Sequence, residues 1–323
     1  MEEMEETMKT TIALFLAAVL MAGAAHARGG IDANGQCVGD ADDNGTVTVD
    51  ELVEAVSNSL NGCPQRAIAL QFRGVVGDQD YACGETYEGL GTTDSPVIIN
   101  DFRLYVSNIR LVTPEGAEVP LVLDQEIPQW QLEDLALLDF EDGCSNGTDQ
   151  TNTEVLGTVP PGQYSRIRFD VAVPFERNHG NAATAPGPLG VAALFWSWQA
   201  GYKFIRIDAL NPSIPPAGKQ VRVHLGSTGC QGDPPRQPVT SCSRPNGMQV
   251  DLDGFDPDAN VILVDLKAMY ADSDLESQQP DDVVPGCMSD PGDPDCAPVF
   301  GNLGVSLENG SADASKQTLF RVE

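Results

Sequence analysis

The chain has 323 residues, of which 48 are Asp or Glu and 18 are Lys or Arg, giving a formal net charge of -30 at pH 7. This acidic bias argues against nucleic acid or an anionic membrane surface as a partner, because both carry negative charge, and it favours cations or a basic protein. The length is enough for a small module and one large domain with its own core.

The first residues predict export. Lys9 precedes an apolar run over residues 12–21, and small residues then end in Ala25-His26-Ala27, the pattern of a signal-peptidase site. We therefore expect residues 1–27 to be a signal peptide and the mature protein to be periplasmic, cell-surface or secreted. No later stretch approaches the roughly 18 consecutive apolar residues that a membrane span needs, so no transmembrane segment is expected in the mature chain.

Residues 35–64 have the pattern of a small calcium module, with a polar loop, one amphipathic helix ending at Asn61-Gly62, and a cysteine near each end. The loop matches D-x-[DN]-x-[DN]-G-x5-E, in which oxygen ligands on alternate residues surround the ion and a final glutamate binds it bidentately. The alternative is a solvated acidic turn that caps the helix. The module resembles dockerin-type EF-hand units, although a dockerin proper has two repeats. The predicted calcium ligands are Asp40, Asp42, Asn44, Thr46, Thr48 and Glu51.

Residues 67–323 predict a mainly β domain, an antiparallel β-sandwich, because short alternating runs are separated by Gly, Pro, Asn and Asp. Residues 191–199 and 266–273 are ambiguous and could each hold a helical turn. Two segments rich in Pro, Asp and Gly, 229–245 and 273–298, are expected to be long loops closed by local disulfides. The predicted strands are residues 67–75, 102–112, 119–122, 165–173, 202–209, 220–225, 249–252 and 261–265.

The sequence carries none of the familiar enzyme signatures HExxH, GxSxG, the P-loop, or GxGxxG at the start of a helix. After signal-peptide removal only His179 and His224 remain, and no serine is singled out as a nucleophile, so we expect a protein that is not an enzyme. The two histidines could be structural residues or could share a metal. Trp196 and Trp198, two residues apart, would lie on one face of a strand, where core packing is the plain interpretation.

Several long motifs nevertheless resemble one family. They are DFRLYVSNIRL at 101–111, LLDFEDGC at 137–144, GTVPPGQYSRIRFDVAVPFERNH at 157–179, FWSWQAGYKFIRID at 195–208, HLGSTGC at 224–230 and GCMS at 286–289. Together they resemble the MbnP-type periplasmic copper-binding proteins of "metallo-mystery pair" operons, which look related to the copper proteins CorA and MopE. The resemblance covers nearly all of residues 67–323, and the calcium module precedes it as an added piece.

This resemblance implies a copper protein for metal uptake, storage or delivery, whose partner is a MauG-like diheme enzyme that oxidises tryptophan to kynurenine. His179 and His224 would be the imidazole ligands, Trp196 or Trp198 the modified residue, and Met288 a possible thioether ligand. Imidazole and a neutral amine suit copper. Two other readings stay open: a calcium-stabilised surface protein that binds a protein or carbohydrate partner, and a copper oxidase or monooxygenase.

The cysteines are expected to form disulfides, because their number is even in an exported chain and none occurs as CxxC. Their order alone does not fix the pairing. Local pairs are favoured, Cys37–Cys63, Cys230–Cys242 and Cys287–Cys296, which leaves Cys83–Cys144. The alternative is that some stay reduced as copper thiolates. The eight residues are Cys37, Cys63, Cys83, Cys144, Cys230, Cys242, Cys287 and Cys296.

Overall fold

The structure is a computed structural model that describes residues 46–61, 65–144, 147–215, 218–277 and 286–323. The chain divides into two compact units, one made of residues 1–64 with 160–162 and the other of the remaining residues. Each unit is described by itself. The signal peptide and part of the calcium module lie outside the described residues, including Asp40, Asp42, Asn44, Cys37 and Cys63.

The described part of the first unit contains one helix, α1 (Val49–Asn61). Thr48 begins it through a reciprocal cap: its backbone N–H and its hydroxyl each donate to Glu51 Oε2 at 2.8 Å, and the Glu51 N–H donates to Thr48 Oγ1 at 3.3 Å. Such a cap satisfies N–H groups that the first helical turn leaves unpaired. A helix at this position agrees with the sequence prediction.

The second unit is mainly β. Its helices are short: α2 (Phe175–Asn178), α3 (Leu266–Met269) and α4 (Cys296–Asn302), with 3-10 turns at Gly187–Gly190, Ala192–Leu194 and Ala314–Lys316. None of the helices in the described ranges is long and apolar enough to cross a membrane. The strands are β1 (Arg66–Val76), β2 (Gln79–Asp80), β3 (Thr86–Leu90), β4 (Ser95–Val112), β5 (Glu118–Pro120), β6 (Val122–Leu123), β7 (Gln131–Leu132), β8 (Leu135–Asp139), β9 (Glu154–Val159), β10 (Arg166–Val171), β11 (Phe195–Ser197), β12 (Gly201–Asn211), β13 (Lys219–Gln220), β14 (Arg222–Gly226), β15 (Thr228–Asp233), β16 (Gln237–Arg244), β17 (Met248–Asp253), β18 (Val261–Asp265), β19 (Gly286–Cys287) and β20 (Phe320–Val322).

Within the described residues these strands form two large sheets and one hairpin. The smaller sheet has the order β20-β18-β1-β9-β6, with β2 beside β1, and the larger has the order β17-β10-β4-β12-β14-β19. Strands β3, β5 and β8 also pair with β4, while β11 and β13 pair with β12. Pairing is mostly antiparallel, but β1 with β18 and β14 with β19 are parallel. The sheets are therefore mixed, which departs from a purely antiparallel prediction.

Aromatic side chains join the two sheets face to face. In β1, Leu70 and Phe72 are buried while the intervening residue is exposed, as expected for a strand with one face on a core. The Phe72 ring lies 6.0 Å from that of Phe169 on β10, and Phe169 lies 5.2 Å from Phe320 on β20. Burying each such side chain stabilises the fold by about 1.5–3 kcal/mol. This packing is consistent with the predicted β-sandwich.

Most predicted strands are confirmed, and both ambiguous segments contain a helical turn, at Ala192–Leu194 and Leu266–Met269. One prediction is wrong. Residues 229–245 are not a loop but the hairpin β15–β16, whose side chains are mostly exposed, so no apolar alternation marked it in the sequence. The predicted strand at 119–122 is split between β5 and β6.

Three disulfides lie among the described residues: Cys83–Cys144, Cys230–Cys242 and Cys287–Cys296. These are the expected local pairs together with the remaining pair. No described cysteine is free. The alternative of reduced copper thiolates is therefore wrong for these six residues.

Candidate functional site

His224 lies on β14, where strand geometry gives it a buried place beside charged neighbours. Val223 and Leu225 point into the core, so the intervening His224 projects from the opposite face of the sheet. Its backbone is paired with Arg206 on β12. The imidazole Nε2 is 2.7 Å from Asp208 Oδ1. A strand thus holds this imidazole rigidly, in contact with a carboxylate.

Trp196 lies next to His224. It belongs to β11, which pairs with β12, and its ring centroid is 6.3 Å from that of His224. A Cβ on Gly226 would be 2.6 Å from Trp196 Cζ3 and 2.7 Å from the Tyr202 carbonyl oxygen. Any larger residue at position 226 would require the indole ring or the Tyr202 backbone to move. The missing side chain at Gly226 therefore makes room for Trp196 beside the histidine.

His179 follows α2 and is oriented through Asn178. The buried Asn178 Oδ1 accepts from the Tyr202 N–H at 2.8 Å, and its Nδ2 lies 3.4 Å from Ser227 Oγ. The imidazole of His179 makes an edge contact with Phe175 at 5.2 Å, and its Nε2 is 3.6 Å from Cys242 Sγ. Asn178 thereby joins the loop that carries His179 to the start of β12.

The other ring nitrogen of His179 is unusual. Nδ1 is buried and has no hydrogen-bond partner within the described part of the chain. Burial lowers the pKa of His179, against an opposite influence of the nearby Trp198 and Gln199 backbone. The ligand atoms of His179, Cys230 and Cys242 lie within 4.8 Å of one another, but the two cysteines form a disulfide and are not thiolates.

Burial favours the neutral form of both imidazoles. Burial lowers the pKa of His224, although its hydrogen bond to Asp208 acts in the opposite direction. Burial alone would raise the pKa of Asp208, but hydrogen bonds from His224 and Arg206 outweigh it and hold that pKa well below its usual range. The site therefore presents neutral imidazoles beside an ionised carboxylate, and neutral imidazole is the form that binds metals.

Two further predicted residues lie on segments that pass close to the two histidines. The exposed Trp198 follows β11, and its backbone is close to His179. Met288 is half-buried and follows β19, which runs parallel to β14 with Cys287 opposite Val223. The next residue, Ser289, donates its hydroxyl to the His224 carbonyl at 2.9 Å. Met288 is thus placed at the same edge of the sheet as His224.

The structure groups these residues in two pairs, Trp196 with His224 and the Trp198 backbone with His179. Sequence reasoning overlooked Asn178, Arg206 and Asp208, which orient the histidines. Two of them were visible as charged residues at alternate positions in GYKFIRID, where strand periodicity puts them on one face.

A cleft of about 640 Å³ opens beside the His179 loop. Buried Asn178 and Phe204 line it, together with the Cys242 side of the hairpin. Asp134 and Asp170 stand in its wall, and the Arg177 guanidinium pairs with Asp134. The cleft gives solvent a route towards this part of the site.

Of the predicted calcium ligands, Thr46, Thr48 and Glu51 are described. Glu51 lies in the first turn of α1, and its carboxylate accepts hydrogen bonds from Thr48. The last two predicted calcium ligands are therefore in direct contact.

These features define a class of protein: a disulfide-bonded β-sandwich with two neutral, partly or fully buried imidazoles beside a tryptophan segment. The MbnP family model matches residues 65–289, and the chain belongs to this family. It is similar in structure to MbnP from Methylosinus trichosporium, with 31% sequence identity and a TM-score of 0.70 over 80% of this chain and 98% of that one. No curated protein matches the chain. The family is compatible with a copper-related function, and with its disulfides suggests a periplasmic or extracellular protein.

Proposed function

We propose that this chain is an exported copper-binding protein, itself without catalytic activity, that serves copper uptake, storage or delivery. The observation that best supports this proposal is that the Trp196–Trp198 segment lies close to both histidines. The Trp196 ring is 6.3 Å from the His224 ring, and the Trp198 backbone lies near His179. A tryptophan converted to a metal-binding group in this segment would have an imidazole beside it.

The donor set suits copper as cargo. Affinity for nitrogen ligands peaks at Cu(II) among first-row divalent ions, while an apolar aromatic surround favours Cu(I). His179 Nδ1 is buried and makes no well-aligned hydrogen bond within the described residues, although the Trp198 and Gln199 backbone lies close to the imidazole, so a metal would supply this nitrogen with a partner. The nearby cysteines are disulfide-bonded, so imidazole, amine and the Met288 thioether are the available ligands.

The second part of the proposal is that a MauG-like diheme enzyme converts one of these tryptophans to kynurenine. Two oxygen atoms, from O2 or from two peroxide equivalents that leave two waters, bond to C2 and C3 of the pyrrole ring as the bond between these carbons breaks, which gives a formyl amide and a ketone. Hydrolysis of the formyl group then releases formate. The residue gains one O2 and loses one CO overall, and it acquires an aryl amine and a ketone. Trp196 is favoured by its ring contact with His224, and Trp198 is the second candidate.

The third part is that the loop preceding α1 binds one calcium ion. Its support is the complete match of residues 40–51 to the EF-hand pattern, in which Thr46 supplies a backbone carbonyl and Glu51 a bidentate carboxylate. A short unit of this size buries little apolar surface, so calcium and a disulfide would both stabilise it.

The proposal is tested by metal analysis and peptide mass spectrometry on protein purified from its native host. The expected result is copper together with a mass gain of one O2 minus one CO on the Trp196–Trp198 peptide. Trp130 is the internal control because it is half-buried like Trp196 but belongs to another segment, and its peptide should keep its mass.

Variants separate the parts of the proposal. His179→Ala and His224→Ala should each lose copper, whereas deletion of the diheme partner should leave tryptophan unmodified. Protein that carries calcium alone, with unmodified tryptophans, would reject the copper function and favour a surface protein that binds another macromolecule.

A further inference from the structure

One guanidinium connects the turn before the Trp196 segment to the carboxylate beside His224. Arg206 Nη1 donates to the Ala193 carbonyl at 3.0 Å, in the turn that leads into the Trp196 segment. Its Nη2 and Nε donate to Asp208 Oδ2 at 2.6 and 3.1 Å, and Nε also lies 3.1 Å from Asp101 Oδ2. Arg206 is only 12% exposed, so these ion pairs are largely shielded from water.

Asp208 uses its two oxygens differently. Oδ2 takes the Arg206 guanidinium, and Oδ1 is 2.7 Å from His224 Nε2. An ionised carboxylate accepts hydrogen bonds and cannot donate them, so a neutral His224 must carry its proton on Nε2. The lone pair of the imidazole is then on Nδ1. The Ser289 hydroxyl meanwhile binds the His224 carbonyl, which keeps the backbone of this residue in place.

We propose that Asp208, itself held by Arg206, is a positioning residue that fixes His224 in the Nε2–H tautomer and presents Nδ1 to copper. This inference rests on the proposed copper function. Metal-bound histidines commonly donate their other ring N–H to a carboxylate, which sets ring orientation and raises ligand basicity. The simpler possibility is that Asp208 only neutralises Arg206. Asp101 lies within 3.1 Å of the same guanidinium but also pairs with Arg103, so the tautomer of His224, which charge balance alone would not set, distinguishes the two roles.

The first experiment is ¹⁵N NMR of copper-free protein with labelled histidine, at a pH where the imidazoles are neutral. His224 should show a protonated Nε2 and an unprotonated Nδ1. Addition of Cu(I), which is diamagnetic, should shift Nδ1 and leave the Nε2 proton in place. This measurement needs no variant, so it decides the question even if substitutions at Asp208 prevent folding.

The second experiment compares copper affinity in Asp208→Asn and Asp251→Asn by competition with a chelator. Asp251 is the matched control because its carboxylate also forms ion pairs with arginine in the same sheet, here with Arg166 and Arg168. Asp208→Asn should shift the tautomer towards Nδ1–H and weaken copper binding by about 10- to 100-fold, since losing such a partner typically has this effect. Asp251→Asn should change neither.

The outcomes are distinct. A proton on His224 Nδ1 in the copper-free protein, a Cu(I) shift at Nε2, or equal affinities in the two variants would overturn the role of Asp208 while leaving the copper function intact. Failure of the wild-type protein to bind copper would reject the proposed function. The tautomer of the copper-free protein would still show whether Asp208 orients His224.

Discussion

Asp101 and Arg103 on β4, Asp139 at the end of β8 and Glu141 just after it are four ionisable side chains that are almost fully buried. Arg103 donates two hydrogen bonds to Asp101 and lies 3.8 Å from Glu141. Burial raises the pKa of Asp139 to about 7, although the positive charge of Arg103 acts against this. One carboxyl of the group therefore takes up a proton near neutral pH.

This makes stability depend on Asp139 in a predictable direction. Between pH 4 and 7 the folded state holds a proton on Asp139 that the unfolded chain has released, so the free energy of unfolding falls as pH rises. Each unit of pKa shift corresponds to roughly 1.4 kcal/mol, which gives a few kcal/mol in all. Asp139→Asn should therefore leave stability unchanged near pH 4 and increase it at pH 8.

Urea unfolding of Asp139→Asn and wild type at both pH values measures this difference. The amide oxygen can still accept the Glu141 N–H that now binds Asp139 Oδ1, so the local hydrogen bond is kept. An equal effect of the substitution at pH 4 and pH 8 would show that Asp139 ionises normally in the fold.

Gly226 gives a second test at the scale of one residue. Gly226→Ala should push the Trp196 ring away from His224, because its Cβ would meet both the indole and the Tyr202 carbonyl. We expect altered near-UV circular dichroism and a stability loss of about 1–3 kcal/mol. Gly301→Ala is the control, since a Cβ there meets nothing within 4 Å and α4 should tolerate alanine. Unchanged spectra in Gly226→Ala would contradict the described packing.

At the scale of elements, the hairpin β15–β16 packs beside His179, because Cys242 Sγ on β16 lies 3.6 Å from His179 Nε2. Removing its disulfide with Cys230→Ala/Cys242→Ala should destabilise the protein by about 3 kcal/mol, as expected for a loop of this length. It should also change the NMR signals of His179 and weaken copper binding, because the imidazole loses a fixed neighbour.

The control is Cys83→Ala/Cys144→Ala. It opens a longer loop, with a sequence separation of 61 against 12, and should destabilise the fold at least as much. Its effect on His179 should be small. Equal His179 perturbation in the two variants would mean that the histidine responds to global stability and not to the hairpin.

The elements also show what sequence can predict. Strands with one buried face, such as β1 and β10, alternate clearly between apolar and polar residues and were found. The hairpin was missed because it buries few side chains, and β8 was missed because all five of its residues are buried and no alternation appears. Strand β9 has one buried face but was also missed, because Leu156 lies on its half-exposed face and Gly157 on its buried face, which hides the apolar alternation in the sequence. Apolar alternation in the sequence appears when one face of a strand is buried and the other is exposed. It does not appear when both faces are exposed or both are buried.

The same limit applies to the site. His179, His224 and Trp196 were predicted because they are rare residue types carried by recognisable motifs. Asp208 and Asn178 are common types in an acidic chain, and their importance comes from a contact across strands. Sequence order does not reveal that Asp208 faces His224, 16 residues away, because this depends on the register of β12 against β14.

At the scale of the whole molecule, the family match begins at residue 65, and one of the two compact units starts with Gln65. The strands of both large sheets, His179, His224 and the three described disulfides all belong to that unit. The sandwich core and the candidate copper site thus draw on residues after 64. The predicted calcium ligands all lie before that point.

We therefore predict that a fragment of residues 65–323 folds and keeps copper binding while losing calcium binding. Its thermal transition should stay cooperative, because the core joined by Phe72, Phe169 and Phe320 is retained. Titration calorimetry should show one calcium bound to the mature full chain and none to the fragment. The full-chain variant Asp40→Ala/Glu51→Ala should match the fragment in calcium and the wild type in copper. Loss of copper binding in that variant would instead show that the calcium loop and the copper site are coupled.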